Sequence, residues 1–244
     1  MMSDSTRGAA LVFGGARGIG AAAVRRLAAD GYPVAFTFVS RPDSAQALVQ
    51  EVAAAGGRAH AIQADSASAD AIIEAVRQAV EKFGLIKVVV VNAGIYRAGT
   101  IGDVSLRDLD EMLSINVRAV FLSIQAALPH LVDGARVITI GSNVAVRTGI
   151  PGASVYQLTK TAVAGLVKGA ALDLAPRGIT VNNIQPGPIE TDLTASMIEA
   201  LKPLSPLRRV GQPHEVGALI SYLAGDEAGY MTGASLTIDG GFTL

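Results

Sequence analysis

Apolar positions fall along this chain into two alternating kinds of run. Short, largely continuous ones are AALVF (9–13), PVAFTF (33–38), AHAIQA (59–64), IKVVVV (86–91), RVITI (136–140), ITVNNI (179–184) and SLTI (235–238). Runs without clean alternation are how strands covered on both faces read. Between them lie IGAAAVRRLAADG, DSAQALVQEVAAAGG and SADAIIEAVRQAVEKFG, apolar every three to four positions and ending in glycine, as helices do. Strands alternating with helices build right-handed βαβ units and a mostly parallel sheet with helices on both faces. The expected fold is α/β, a doubly wound, seven-stranded Rossmann arrangement. No linker interrupts it, so 1–244 reads as one domain. Ligands of such folds bind beyond the carboxyl ends of the strands.

Half the residues are hydrophobic and 17% are charged, below the usual quarter or so. Surface covered by self-association is the simplest reason. The net charge is −1 and the charges are scattered, so the footprint of a nucleic-acid binder is missing. There is no cysteine, which removes disulfides, thiolate nucleophiles and thiolate metal sites. His60, His130 and His214 stand far apart, so neither a histidine metal site nor a Ser-His-Asp triad has raw material. MMSDSTRG has no apolar run, and the apolar stretches read as shorter than a membrane span. The expectation is a soluble, cytoplasmic protein with a small or medium-sized ligand, no metal and no membrane partner.

After the first strand comes GGARGIG, with Gly14, Gly18 and Gly20 spaced as G-x-x-x-G-x-G. Glycines there let the backbone approach a pyrophosphate at a helix amino end. A plain glycine-rich turn is the alternative, and the position between a strand and an amphipathic helix favours the dinucleotide. The second strand runs out into VSRPD, with no acid between Asp30 and Asp43. NAD sites place an acid there for the ribose hydroxyl, whereas NADP sites place cations near the 2′-phosphate. Ser40 and Arg41, with Arg17 from the glycine loop, therefore favour NADP(H) over NAD(H) through charge-assisted hydrogen bonds. Solvated surface arginines are the other reading.

Together with Gly14, Gly18 and Gly20, the chain carries in order Asp65, Asn92-Ala93-Gly94, Asn116 in SINVRAVF, Ser142, Tyr156-x-x-x-Lys160, PGPIETD (186–192) and TGASLTIDGG (232–241). In this set the chain resembles the short-chain dehydrogenase/reductase family over nearly its whole length. The general likeness is nearest to bacterial 3-oxoacyl-carrier-protein reductases. The resemblance implies Ile19 beside the glycines at the cofactor, Asp65 and Ser66 at the adenine, and Asn92, Ala93 and Gly94 along the ribose. Pro186, Gly187, Ile189 and Thr191 would follow the nicotinamide. Asn116, Ser142, Tyr156 and Lys160 would be catalytic, with Asn116 holding a water that links Lys160 to solvent. Phe13 replaces the threonine usual before the glycines, so packing is expected to brace the loop in its place. Val91 stands where a second asparagine is commoner. Ser142 lies one residue farther from Tyr156 than is frequent, with Asn143 at the commoner spacing; its place directly after the strand selects Ser142.

Hydride transfer to a carbonyl leaves an alkoxide that needs a proton. The phenol of Tyr156, with an ordinary pKa of about 10, can supply it. Lys160, one helical turn on, is expected to favour the phenolate and bring that pKa toward neutrality. Ser142 would donate to the substrate oxygen. A Ser142 hydrolase has no histidine near the motif to activate it. A nucleotide-binding regulator that sequesters a signalling nucleotide on the same fold is one rival function, and a 3-oxoacyl-carrier-protein reductase is the other.

The family's mobile substrate lid would be 191–209 here, and Leu193, Met197, Ile198, Leu201, Leu204 and Leu207 suggest an apolar ketone, although an amphipathic lid packed on the core reads the same way. The regions that would dock an acyl carrier, LPHLVDGA (128–135) and ALDLAP (171–176), hold no Arg or Lys. A free small carbonyl compound or alcohol is therefore the expected substrate. The resemblance also implies a homotetramer, or failing that a dimer, built on the long helices of about 106–131 and 153–173 and the last strand.

Overall fold

The computed structural model describes residues 8–149, 151–192 and 194–244. Most of the MMSDSTRG terminus, and Leu193 of the expected lid, lie outside the described residues. Seven strands, β1 (Ala9–Phe13), β2 (Val34–Phe38), β3 (Ala59–Gln63), β4 (Ile86–Val91), β5 (Leu131–Ile140), β6 (Thr180–Pro186) and β7 (Ser235–Ile238), form one sheet in the order β3-β2-β1-β4-β5-β6-β7. Every pairing is parallel. Chain direction reverses its march across the sheet between β1 and β4, which opens a crevice at their carboxyl ends.

Successive strand residues serve opposite faces. Leu11, Phe13, Val89, Val91 and Val137 pack beneath α3 (Ala69–Phe83), α5 (Ala119–Ala127) and α6 (Ser154–Leu174). Ala10, Val12, Val34, Val88 and Ile138 pack beneath α1 (Gly18–Ala29), α2 (Pro42–Ala54) and α8 (Pro213–Ala224). Each large aliphatic side chain fully buried in these layers contributes roughly 1.5–3 kcal/mol, so the continuous apolar strands are the sheet's cement.

Two elements differ from the sequence reading. β5 begins at Leu131 and not near Arg136, and its pairing jumps from Ile86↔Leu131 to Val88↔Arg136. The intervening residues bulge out around Gly134 at φ +72°, whose carbonyl accepts from Lys87 Nζ at 2.8 Å and Arg136 Nη1 at 2.7 Å. The expected helix of 106–131 is α4 (Leu106–Leu113), a π-helical turn Ser114–Arg118, α5 and a 3₁₀ turn Leu128–His130. By length and mean hydropathy, Leu106–His130 is long and apolar enough to cross a membrane, which corrects the expectation that no stretch was. Its inner face nevertheless buries Met112, Asn116, Val120, Ile124 and Ala127, so the run is built to cover this sheet. Within 191–209 stand a 3₁₀ turn Ala195–Met197, α7 (Ile198–Leu201) and a second 3₁₀ turn Lys202–Leu204.

Candidate active site

The glycine loop is shaped by contacts that only absent side chains permit. Gly14 holds φ +73° and Gly18 φ +52°. A Cβ on Gly20 would lie 2.0 Å from Gly14 O, and one on Gly15 2.5 Å from the Phe36 Cβ; Gly15 is a requirement that the motif spacing did not single out. Hydrogen bonds brace the loop where packing was expected. Gly14 N donates to Thr37 Oγ1 at 2.9 Å, and Asn92 Nδ2 donates to Gly14 O at 2.8 Å. Phe13 is buried in the core, and its carbonyl accepts from Asn92 N and Ala93 N, both at 3.1 Å. Thr37, 1% exposed, is thus a site residue missed in sequence; its signal was a lone hydroxyl inside PVAFTF.

This cradle fits a dinucleotide. Ala93 lies directly under Gly14. The first-turn amides of α1 lack intrahelical acceptors and the first turn has no acid, so an anion is favoured there. Ile19 packs partly into the core below. Arg17 precedes α1, and Arg41 precedes α2 at φ +65°, a left-handed conformation that costs about 1–2 kcal/mol outside glycine. Their guanidiniums converge, with both Nη1 atoms 3.3 Å from Asp192 Oδ2. Ser40 is exposed beside Arg41. Beyond β3, Asp65 Oδ1 accepts from Ala67 N at 2.9 Å while Ser66 is buried. Past β6, Gly187 N donates to Ile238 O at 3.0 Å. A Cβ on Gly187 would lie 2.6 Å from Asp239, and Thr191 rests on Gly18. Ile189 is 5% exposed and belongs to the core. The loop's small hollow, of about 130 Å³, is bounded by Pro188, Ile189, Leu207 and Asp239, away from Tyr156.

Farther along the crevice Ser142, Tyr156 and Lys160 come together. The Ser142 hydroxyl lies beside the Tyr156 phenol, whose pKa it lowers, and accepts from Val144 N at 3.3 Å. Asn143 turns the other way, toward Asp239 Oδ2 at 3.4 Å. Lys160 is 4% exposed; its Nζ donates to Ile140 O at 2.9 Å and stands 5.6 Å from the Tyr156 ring centroid. Burial brings the Lys160 ammonium down to about 8. The phenol moves opposite to expectation. Burial pushes Tyr156 up to about 12, only partly opposed by the Ser142 hydroxyl, and the nearby Tyr96 raises it further. Lys160 does not bring the phenol down, because its ammonium is turned to a main-chain carbonyl. Tyr96, another residue absent from the sequence reading, packs edge-on against Tyr156, with centroids 5.1 Å apart at 73°.

Asn116 sits fully buried in the π turn, a local distortion frequent at functional sites. Its Oδ1 accepts from Ile95 N at 2.8 Å, and its Nδ2 donates to Ile95 O at 2.8 Å and Thr159 Oγ1 at 3.2 Å. Thr159 in turn donates to Tyr156 O at 2.7 Å. The amide thus clamps the strand exit that carries Tyr96 and ties it to α6; both its donors are engaged, so the expected water is not held by them. A Cβ on Gly94 would be 3.4 Å from both Asn116 Oδ1 and Lys160 Nζ, which leaves a side-chain-free gap between these groups.

A sequence profile described as enoyl-(acyl carrier protein) reductase matches residues 14–243. The chain is 41% identical over 235 residues, 95% of each sequence, to the cyclic-di-GMP-binding biofilm dispersal mediator protein of Escherichia coli. It is 38% identical to the 3-oxoacyl-[acyl-carrier-protein] reductase FabG of Staphylococcus aureus, over 96% of this chain and 98% of that one. Among solved structures, a short-chain dehydrogenase/reductase from Serratia marcescens is 48% identical and superposes with TM-score 0.96 over 99% of this chain and 100% of its own. A short-chain dehydrogenase from Burkholderia cenocepacia in complex with NADP is 43% identical, with TM-score 0.94 over 99% and 100%.

Proposed function

The chain belongs to the short-chain dehydrogenase/reductase family, and from that premise we propose that it is an NADP(H)-dependent oxidoreductase interconverting a ketone or aldehyde with its alcohol. The observation that carries this reading is the convergence of Ser142, Tyr156 and Lys160 on one end of the crevice whose other end is the glycine cradle. A neighbour solved with NADP and the paired arginines at 17 and 41 support the phosphorylated coenzyme. When bound, the nicotinamide supplies or takes the hydride.

The chain's own groups do the rest. A phenol pushed up to about 12 is protonated at neutral pH, the form that donates to a developing alkoxide. The Ser142 hydroxyl donates to the same oxygen, which stabilises charge where it develops. Lys160, with a pKa of about 8, still carries its proton at neutral pH and is placed to turn from Ile140 O toward ribose hydroxyls, where its charge would favour the phenolate after proton transfer. Asn116 holds Ile95 and α6 in register around this group, and a water at its remaining Oδ1 lone pair would carry protons out. Asp65, Ser66, Asn92, Ala93, Gly94, Pro186, Gly187, Ile189 and Thr191 line the coenzyme in this reading.

Segment 191–209 serves as the substrate lid. Met197, Leu204 and Leu207 are 39%, 54% and 62% exposed, unspent apolar surface that suits an apolar carbonyl compound. Asp133 and Arg177 neutralise each other where an acyl carrier would dock, which favours a free substrate. Half-exposed Phe121 and Leu158, with Leu172, support a homotetramer through the long helices. The 41%-identical cyclic-di-GMP-binding relative favours one second reading, a regulator that sequesters a signalling nucleotide.

The deciding experiment follows NADPH and NADH oxidation across a ketone and aldehyde panel with wild type and Tyr156→Phe, beside calorimetric titration with cyclic di-GMP. Turnover lost in the variant and faster with NADPH is expected. Turnover indifferent to Tyr156, or tight cyclic di-GMP binding without any turnover, would overturn the enzymatic reading.

A further inference from the structure

Arg17 follows β1, Arg41 follows β2 and Asp192 follows β6, yet both guanidiniums reach the same carboxylate oxygen at 3.3 Å. In the sheet order, β1, β4 and β5 separate β2 from β6, so the contact crosses the coenzyme crevice from one bank to the other. Thr191 holds that bank in place: a Cβ on Gly18 would lie 3.1 Å from its Cγ2. The side chains are 68%, 64% and 59% exposed. Exposed ion pairs contribute little to stability, so the arrangement does not serve the fold. What it does is fill an anion position. Two cations on adjacent turns repel, Arg41 adopts a left-handed backbone to be there, and the negative charge between them is the chain's own.

Resting on the assignment of Arg17 and Arg41 to the 2′-phosphate, we propose that Asp192 is a specificity-determining residue of the coenzyme site, an internal carboxylate that competes with that phosphate. A phosphate monoester carries about −1.5 to −2 charges near neutrality and draws on the same donors. It must displace the carboxylate or share both guanidiniums with it at close range, and either outcome takes away part of their attraction. The 2′-hydroxyl of NAD(H) asks nothing of the arginines. Asp192 therefore lowers the preference for NADP(H) below what two arginines alone would give.

The test is isothermal titration of wild type, Asp192→Asn and the double variant Arg17→Ala/Arg41→Ala with 2′,5′-ADP and 5′-ADP as probes, and with NADPH and NADH. Asp192→Asn is expected to bind 2′,5′-ADP and NADPH about five- to tenfold more tightly at low salt, the scale of one or two exposed ion pairs. The gain shrinks at high salt, and 5′-ADP and NADH stay within about twofold. If the double variant loses 2′,5′-ADP while Asp192→Asn leaves it unchanged or weakens it, Asp192 is no competitor and the inference falls alone. If the double variant binds 2′,5′-ADP as well as wild type does, the phosphate site itself is misassigned and both fall.

Discussion

Replacing Lys160 by methionine should make this protein more stable and inactive. Lys160 is 4% exposed, and burial is what moves its proton affinity. The fall from 10.5 to about 8, at ~1.4 kcal/mol per pKa unit, means that carrying the ammonium costs the folded chain about 3 kcal/mol at neutral pH. Methionine keeps the length, but strips Ile140 O of the donor at 2.9 Å, a loss of about 1 kcal/mol. The net gain at pH 7 is about 2 kcal/mol. Because the folded pKa lies below the unfolded one, the folded chain sheds this proton first as pH rises. The penalty is complete below about 8 and gone above 10.5, so the variant's advantage disappears across that window. Urea unfolding followed by circular dichroism, for both proteins at equal concentration at pH 7 and pH 11, measures it. Equal midpoints at pH 7, or a gap that ignores pH, would refute the claim that Lys160 is a buried cation kept for chemistry at the expense of stability.

Three further outcomes are expected. Tyr156→Phe should cut ketone reduction by roughly 10²–10⁴ while the NADPH dissociation constant, read by fluorescence titration, stays within about threefold. Thr37→Val leaves Gly14 N without its acceptor and should cost about 1–3 kcal/mol, seen as a lowered Tm together with weaker NADPH binding; an unchanged Tm would show that the loop does not depend on this bond. Tyr96→Ala opens the wall against the half-buried Tyr156 and lets more water reach the phenol. Its pKa should then fall from about 12 toward 10, which moves the alkaline limb of the pH–rate profile to lower pH; a profile identical to that of wild type would count against burial as the cause.

The strands were legible because each needs apolar side chains on both faces, a demand that leaves continuous runs such as IKVVVV. The glycine loop was legible because nothing else fits beside Gly14 O. Less could be read where a neighbour in space, and not in sequence, sets the outcome. Thr37 looked like one more strand residue until Gly14 N was seen to point at it. Tyr96 lay in an exit loop without periodicity. The direction of the Tyr156 pKa was misread because i, i+4 spacing puts Lys160 on the right helical face but says nothing of Ile140 O, which takes its ammonium.

The sequence by itself determined the α/β sheet, the order of its strands' chemistry and the residue types at each carboxyl end, since these follow from local periodicity and from side chains that backbone geometry forbids. Tertiary structure alone decided where charge and water go. It carried Asp192 across the sheet to Arg17 and Arg41, shut Lys160 away from solvent and left Tyr156 half-buried against Tyr96, and spent the Asn116 amide on Ile95 and Thr159. Electrostatic and hydrogen-bond outcomes depend on distance and burial in three dimensions, and a linear pattern holds neither.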